Sequence, residues 1–571
     1  MGKTVAIGVQ DFGQLREYDN FYVDKTYFIK DWWENRDAVT LITRPRRFGK
    51  TLTMSMLDHF FSVKHKKDAW MFEGLSIWEN AKYHELQGTY PVISLSFAGV
   101  KQDKFEDAYG KICSLLLEIY LQYEEELMNS QISESDKINF KSTQNVLLRQ
   151  KEEKSLVCLN VVEDAVHTLS MQLYKYYGKK VLIFLDEYDT PMQEAYLNGY
   201  WKEMVSFIRN MFNNAFKTNP YMERAILTGI TRISKESIFS DLNNLVVITS
   251  STNIYEDVFG FTENEVFHAM DKIGLADKES VKLWYDGFVF GKLKDIYNPW
   301  SITQYLRTGK TDLYWANTSS NGLISKLLRE SEYDFKMDFE KLLEGDCVET
   351  ELDEQVIFDQ LDDDPDAVWS LFLASGYLKI DSIIRDNPGD DPVYRLSLTN
   401  LEVKKMVQKL IKGWFKKGRV LSKFVAALLQ GDIRGMNLYM NDIVLNTMSY
   451  FDSGKRPSTK EPENFYHGLV LGLIVEKASD YIVRSNRESG YGRYDIVMEP
   501  FDKKENAVIM EFKVFDEEDN EKTLDDTLAN ALAQIEEKKY ETDLLAAGVT
   551  RDRIYKYGFA FEGKKVKIAK V

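Results

Sequence analysis

The stretch Thr43-Arg44-Pro45-Arg46-Arg47-Phe48-Gly49-Lys50-Thr51 restricts the fold more than any other part of the chain. A short apolar run, 38–42, precedes it, and an amphipathic run, 52–61, follows it. Strand, loop and helix in that order are what a phosphate-binding loop needs. In such a loop the backbone N–H groups and the helix N-terminus cradle phosphate oxygens. Lys50 is expected to reach the β/γ-phosphates and Thr51 to hold Mg²⁺. Arg46, Arg47, Phe48, Gly49 and Leu52 complete the expected nucleotide contact. One departure is visible: Arg44 stands where the first glycine of G-x-x-x-x-G-K-[ST] is usual.

A second stretch answers the first. Val181-Leu182-Ile183-Phe184-Leu185-Asp186-Glu187 is a continuous apolar run ending in two acids. A buried parallel strand reads that way. Asp186 would complete the Mg²⁺ shell and Glu187 would polarise the attacking water. Either motif alone fits a plain core strand or an ordinary helix start. The two together, in this order, point to a nucleoside triphosphate.

Further apolar runs at 91–97, 224–230 and 245–249 read as strands of the same sheet. Helical spacing marks 104–127, 161–177 and 201–216, while 129–154 is polar and reads as an exposed helical excursion. Alternating strands and helices with these motifs predict an α/β three-layer sandwich on a parallel sheet. Thr228, at the end of its strand, is a candidate sensor of the γ-phosphate, with Thr231 as its neighbour. Arg232 reads as a phosphate sensor, as a finger aimed at a neighbouring subunit, or as a surface arginine. Arg46 and Arg47 are further finger candidates.

The last hundred residues carry different chemistry. Residues 465–477 read as an apolar helix. A Gly-rich turn, Ser489-Gly490-Tyr491-Gly492-Arg493-Tyr494, leads into a strand that begins near Asp495. A second strand follows, Ala507-Val508-Ile509-Met510-Glu511-Phe512-Lys513-Val514. Alternation puts Glu511 and Lys513 on one face and Phe512 on the other. A hairpin would set Asp495 beside Glu511. Two carboxylates there would collect a hard divalent cation such as Mg²⁺. The cation would activate water at a scissile phosphate, and Lys513 would orient that water or neutralise charge. Glu476 or His467, on the preceding helix, would add to the metal shell, with Glu476 the more natural ligand.

These motifs also carry a resemblance. Arg44-Pro45-Arg46-Arg47-Phe48-Gly49-Lys50-Thr51, preceded by Tyr22-Val23-Asp24-Lys25-Thr26, resembles the bacterial and archaeal AAA-ATPase-like family with a C-terminal PD-(D/E)xK nuclease-like domain. Leu227-Thr228-Gly229-Ile230, Ser240-Asp241-Leu242-Asn243-Asn244, Phe259-Gly260-Phe261-Thr262, Trp284-Tyr285-Asp286-Gly287 and Tyr297-Asn298-Pro299-Trp300-Ser301 extend it along nearly the whole chain. In that family the loop begins with arginine, so Arg44 is no defect. The resemblance implies a P-loop ATPase domain over 1–262 and a mostly helical, winged-helix-like lid over 263–450. A linker over 451–462 and a restriction-endonuclease-like α/β domain over 463–571 follow. It also matches Gln534 and Tyr540 to the helix that accompanies the nuclease core. The implied function is ATP hydrolysis coupled to Mg²⁺-dependent cleavage of nucleic acid, DNA first, in defence against foreign DNA or mobile elements. The alternative is a nucleotide-gated switch that binds nucleic acid or protein without cutting. A third reading makes the C-terminal fold purely structural.

Composition sets outer bounds. At 571 residues two to four domains are expected. A formal charge of -17 argues against indiscriminate coating of nucleic acid and leaves room for a local basic groove. Three cysteines without metal-ligand spacing suit a reducing cytoplasm. No apolar run approaches the roughly 20 residues that cross a bilayer. A cytoplasmic protein, with no membrane partner and with scope for homo-oligomers, is the expectation. The acidic run within 344–366 reads as a solvated loop sooner than a metal site.

Overall fold

A computed structural model describes residues 3–153, 156, 158–217, 219–233, 238–239, 242–315, 327, 333–352, 365–384, 392–414, 419–451, 470, 473–474, 480–485, 488–489, 492–493, 495–515, 521–562 and 565–571. The densest part of the acidic run, 353–364, all but the first residue of the expected linker, and most of the helix expected at 465–477 lie outside them. The chain forms two compact units, Met1–Ile324 with Lys341–Lys404, and Ser325–Glu340 with Lys405–Val571. Among the described residues, no helix is long and apolar enough to cross a membrane. Cys113, Cys158 and Cys347 are free thiols.

The first unit is built on five strands: β1 (Val39–Thr43), β2 (Val92–Ser96), β3 (Val181–Asp186), β4 (Met222–Gly229) and β5 (Leu245–Ile248). Their order is β2-β3-β4-β1-β5, and every neighbouring pair is parallel. β1 and β3 are buried at every residue, which is why their sequences are almost unbroken apolar runs. Parallel pairing puts all the carboxyl ends on one edge. The register sets Thr43 opposite Gly229, Ile42 opposite Thr228 and Ser96 opposite Asp186. In open parallel sheets that edge is where ligands bind.

Two helices, α1 (Phe12–Glu17) and α2 (Tyr27–Asn35), precede β1, and α3 (Lys50–Phe61) follows it. α3 starts straight after the lysine loop. The segment expected to be exposed at 129–154 is a helix, Glu134–Glu153, but it is not bare. Phe140 and Leu147 are buried, and Phe140 stacks on Tyr120 with ring centroids 5.0 Å apart. Its apolar stripe is too narrow to register in a mostly polar sequence.

Strands as well as helices occupy the middle of the chain. β6 (Phe261–Thr262), β7 (Phe288–Phe290) and β8 (Leu293–Tyr297) form an antiparallel sheet in the order β6-β8-β7. β9 (Val348–Glu351), β10 (Leu378–Ile384) and β11 (Val393–Leu398) form another, ordered β10-β11-β9. Gly287 leads into β7 at φ 129°, and a Cβ there would stand 1.9 Å from the carbonyl oxygen of Thr399. Only glycine fits.

The second unit holds β12 (Tyr481–Ser485), a short hairpin of β13 (Glu488–Ser489) and β14 (Gly492–Arg493), then β15 (Ile496–Pro500), β16 (Ala507–Val514), β17 (Ile554–Glu562) and β18 (Lys565–Lys570). The main sheet runs β12-β15-β16-β17-β18. It is mixed: β16 and β17 are parallel and the other pairs antiparallel. The helix Leu524–Lys538 makes the crossover between the parallel pair. Both faces of β16 are covered, so its residues sort by alternation. Val508, Met510 and Phe512 pack with Phe424, Leu428, Met436 and Met440 of two helices. Ala507 and Ile509 pack on the opposite side with Ile535 and Tyr540. Burying Phe512 fully contributes about 2–3 kcal/mol.

The outer strand, β18, is met by two asparagines of the helix Ile433–Phe451. Asn437 donates to the Ile568 carbonyl at 2.8 Å and accepts from its N–H at 2.9 Å. Asn441, one turn on, does the same with Val566 at 2.7 and 3.0 Å.

Candidate functional site

The lysine loop leaves β1 at Arg44, whose N–H donates to the Gly229 carbonyl at 3.0 Å. The loop is held from below by two buried side chains. The Arg44 guanidinium donates to the carbonyls of Thr43 (2.9 Å) and Thr249 (2.8 Å) and lies 4.5 Å from the centre of the Phe290 ring. Burial pushes its pKa down to about 9, so it remains a cation at neutral pH. Phe48 packs edge-on against Phe288 and Phe290 of β7, with ring centroids at 4.7 and 5.4 Å. An arginine anchor thus takes the place of the missing first glycine.

The remaining loop residues face the edge of the sheet. Gly49 caps α3 at φ 83°, and no atom lies within 4 Å of where its Cβ would be. The space beside the helix N-terminus is open, and that end has no side-chain cap. Its first N–H groups therefore lack intrahelical partners. Lys50, 3% exposed, donates to the carbonyls of Arg44 (3.0 Å) and Pro45 (3.1 Å) and lies 3.5 Å from Glu187 Oε1. Leu52 follows half-buried on the first turn. Arg46 reaches Gln193 at 3.2 Å, and Arg47 lies 4.4 Å over the Trp300 ring.

Asp186 sits between two threonines. Thr51 Oγ1 donates to Oδ2 at 2.7 Å and Thr228 Oγ1 donates to Oδ1 at 2.5 Å. Burial, then the charge of Glu187, pushes the Asp186 carboxyl up, while the two hydroxyls and Lys50 pull it back. Glu187 holds φ 53°, a left-handed conformation uncommon for a non-glycine residue. A hydroxyl and a carboxylate side by side are hard oxygen donors that fit a magnesium ion. A buried ammonium beside an open helix end fits phosphate.

The second candidate site lies in the other unit. Ile496 pairs with Met510, which carries Asp495 to the position across from Glu511. Asp495 Oδ2 accepts from the Phe512 N–H at 2.7 Å. Glu511 is 1% exposed and accepts a hydrogen bond from Gln534, which also donates to the Tyr540 hydroxyl at 3.1 Å. Burial raises the Tyr540 phenol pKa, with Glu511 and Asp495 adding to the rise. Lys513 is half-exposed, two residues beyond Glu511 on the same face of β16. Two carboxylates this close again suit a hard divalent cation. Glu476 and His467 lie outside the described residues.

Two comparisons bear on these sites. Residues 6–239 match the family described as Predicted AAA-ATPase, and residues 461–571 match the PD-(D/E)XK nuclease superfamily. The chain has an AAA-ATPase-like region and a PD-(D/E)XK nuclease-superfamily region. It is also similar to the "Uncharacterized protein in vnfD 5'region" of Azotobacter chroococcum mcd 1, 27% identical over 409 residues, spanning 70% of this chain and 68% of the relative.

A third acid of the ATPase-like region supports the strand end that carries Thr228. Asp189, fully buried, accepts at 2.9 Å from the N–H groups of Ile230 and Thr231 and from the Thr231 hydroxyl. It fixes the chain just beyond Thr228. Its only trace in the sequence is a third acid in Asp186-Glu187-Tyr188-Asp189. Arg232 is half-buried, and its charge acts on the Tyr188 phenol. The motif Tyr297-Asn298-Pro299-Trp300-Ser301 also reaches this loop. Asn298 caps the helix Pro299–Thr308 and donates to the Arg46 carbonyl at 3.4 Å, while Trp300 lies under Arg47.

Proposed function

We propose that the protein binds and hydrolyses ATP at the lysine loop and cleaves nucleic acid, DNA first, at the Asp495–Glu511 site. The observation that carries the first half is the grip of Thr51 and Thr228 on Asp186, beside Lys50 and Glu187. Thr51 and Asp186 would hold the magnesium ion, which supplies charge neutralisation at the phosphates. Lys50 would turn from its loop carbonyls to the phosphate oxygens. Glu187 would take the proton of the attacking water, and Thr228, held in place by Asp189, would report on the γ-phosphate. The five-stranded parallel sheet supports reading this unit as a P-loop sandwich.

In the nuclease-superfamily region, Asp495 and Glu511 would hold Mg²⁺ and Gln534 would orient Glu511. Lys513 would stabilise charge on the scissile phosphate. The residues at 263–450 would act as the lid joining the two activities, and 463–571 as the cutting domain. The test takes the full chain with ATP, Mg²⁺ and supercoiled plasmid. Phosphate release lost in Asp186→Asn and nicking lost in Asp495→Asn are the expected results. Plasmid bound tightly but left uncut by the unaltered chain would replace cleavage with recognition.

A further inference from the structure

The far end of α3 meets a run of 3-10 turns, Val63–Phe72, at a cluster that the nucleotide chemistry does not use. His59 lies on α3, and His65 and Asp68 lie on the turns. The two imidazole centroids are 3.9 Å apart, with ring planes at 41°. Asp68 Oδ2 is 2.8 Å from His65 Nδ1 and 3.8 Å from His59 Nδ1. One ligand atom from each residue falls within 4.8 Å of the others.

His59 provides an independent sign of something to be bound. It is 8% exposed, and its buried Nδ1 has no hydrogen-bond partner among the described residues. Leaving such a nitrogen bare costs about 1–3 kcal/mol. Asp68 does not relieve it, because its near oxygen stands 3.8 Å away, beyond hydrogen-bond reach. The other ring nitrogen, Nε2, lies 3.4 Å from Asp11 Oδ2. Asp11 is itself fixed, accepting from the Gln14 N–H at 2.8 Å and from the Ser55 hydroxyl at 3.1 Å. A carboxylate behind a histidine, with the far nitrogen bare and facing further donors, is how metal-ligating histidines are oriented.

The donor set narrows the ion. Two imidazoles and one carboxylate suit a borderline divalent transition metal over magnesium or calcium. Tetrahedral bonds of about 2.0–2.1 Å separate ligand atoms by about 3.4 Å; the 3.8 Å gap to His59 would close and the 2.8 Å gap to His65 would open by about half an ångström each. His65 and Asp68 side chains are each 29% exposed, which leaves an entry path and room for a water as fourth ligand. The neighbouring Lys64 does not compete, since its ammonium turns to the Gln122 carbonyl at 3.2 Å.

We propose that His59, His65 and Asp68 bind a divalent transition-metal ion of the zinc class, which fastens the turns at Val63–Phe72 to the far end of α3. The site is separate from both magnesium sites, and its role is structural.

The test is a Co²⁺ titration of the full chain in excess Mg²⁺, which fills oxygen-only sites. A visible ligand-field band saturating at one equivalent and bleached by Zn²⁺ is expected. His65→Gln and Asp68→Asn, at partly exposed positions, should each weaken Co²⁺ binding at least tenfold. Zn²⁺ should raise the melting temperature of the unaltered chain but not of these variants. Melting without metal reports whether each variant is folded. Absence of the band, or a band unchanged in both variants, would overturn the proposal.

Discussion

Thr51 Oγ1 lies 2.7 Å from Asp186 Oδ2, so one hydrogen bond joins the first turn of α3 to the end of β3. Thr228 holds the other oxygen of the same carboxylate at 2.5 Å. Three segments far apart in sequence are thereby locked around one acid. A carboxylate so held gives up little freedom when it takes a cation, which is what preorganisation means in energetic terms.

Lys50 and Glu187 should separate binding from chemistry. Lys50→Ala is expected to abolish binding of a fluorescent ATP analogue, because under the proposed function the buried ammonium would be the loop's charge partner for phosphate. Glu187→Gln should bind that analogue normally and release phosphate about 10²–10⁴-fold more slowly, the range for loss of a general base. Equal phosphate release by Glu187→Gln and the unaltered chain would remove Glu187 from the reaction.

Restoring the usual glycine should harm the protein. Arg44→Gly removes a buried side chain that satisfies the carbonyls of Thr43 and Thr249. Each carbonyl left bare costs about 1–3 kcal/mol, and a cavity adds to it. A loss of several kcal/mol in denaturant unfolding is expected, with no gain in ATP affinity.

Glu402 predicts a pH effect with a definite sign. Its Oε2 accepts from Ser301 at 2.8 Å and its Oε1 from the Trp315 N–H at 2.7 Å. Burial raises its pKa from 4.5 to about 7. Between those values the folded chain holds a proton that the unfolded chain does not, so stability falls as pH rises through the window. By pH 8 the accumulated loss is about 3 kcal/mol. Glu402→Gln should flatten this part of the stability profile and melt higher than the unaltered chain at pH 8.

Lys513 is the cleanest probe of cutting, because it is half-exposed where β16 emerges from the core. Lys513→Ala should leave the melting temperature within a degree or two and reduce Mg²⁺-dependent nicking by about 10²-fold or more. Nicking that survives at full rate would assign the charge stabilisation to another residue.

Much of this architecture can be read from the chain before any coordinates. The apolar runs at 38–42 and 181–187 predict β1 and β3, because a strand hidden on both faces is apolar at nearly every position. Alternation alone puts Glu511 and Lys513 on one face, whereas Asp495 comes opposite Glu511 through the register that sets Ile496 against Met510. Arg44 resists such reading. Three arginines occur in the loop, and which one turns inward depends on Phe290 and Thr249, contributed from more than 200 residues away in sequence. Asp189 is hidden for the same reason, since the Ile230 and Thr231 N–H groups and the Thr231 hydroxyl that it holds come from more than forty residues further along the chain. The 263–450 stretch reads as helical because β7, β8 and β9 are only three to five residues long, and the longer β10 and β11 are interrupted by a register shift that blurs their alternation.

The asparagine pair on the helix Ile433–Phe451 has a consequence for assembly. An uncapped outer strand invites a second molecule to continue the ladder, and natural proteins guard against it. Here carboxamides already occupy the outward-facing amide groups of Ile568 and Val566. At these two residues the C-terminal sheet offers a second copy no open amide groups through which to extend it.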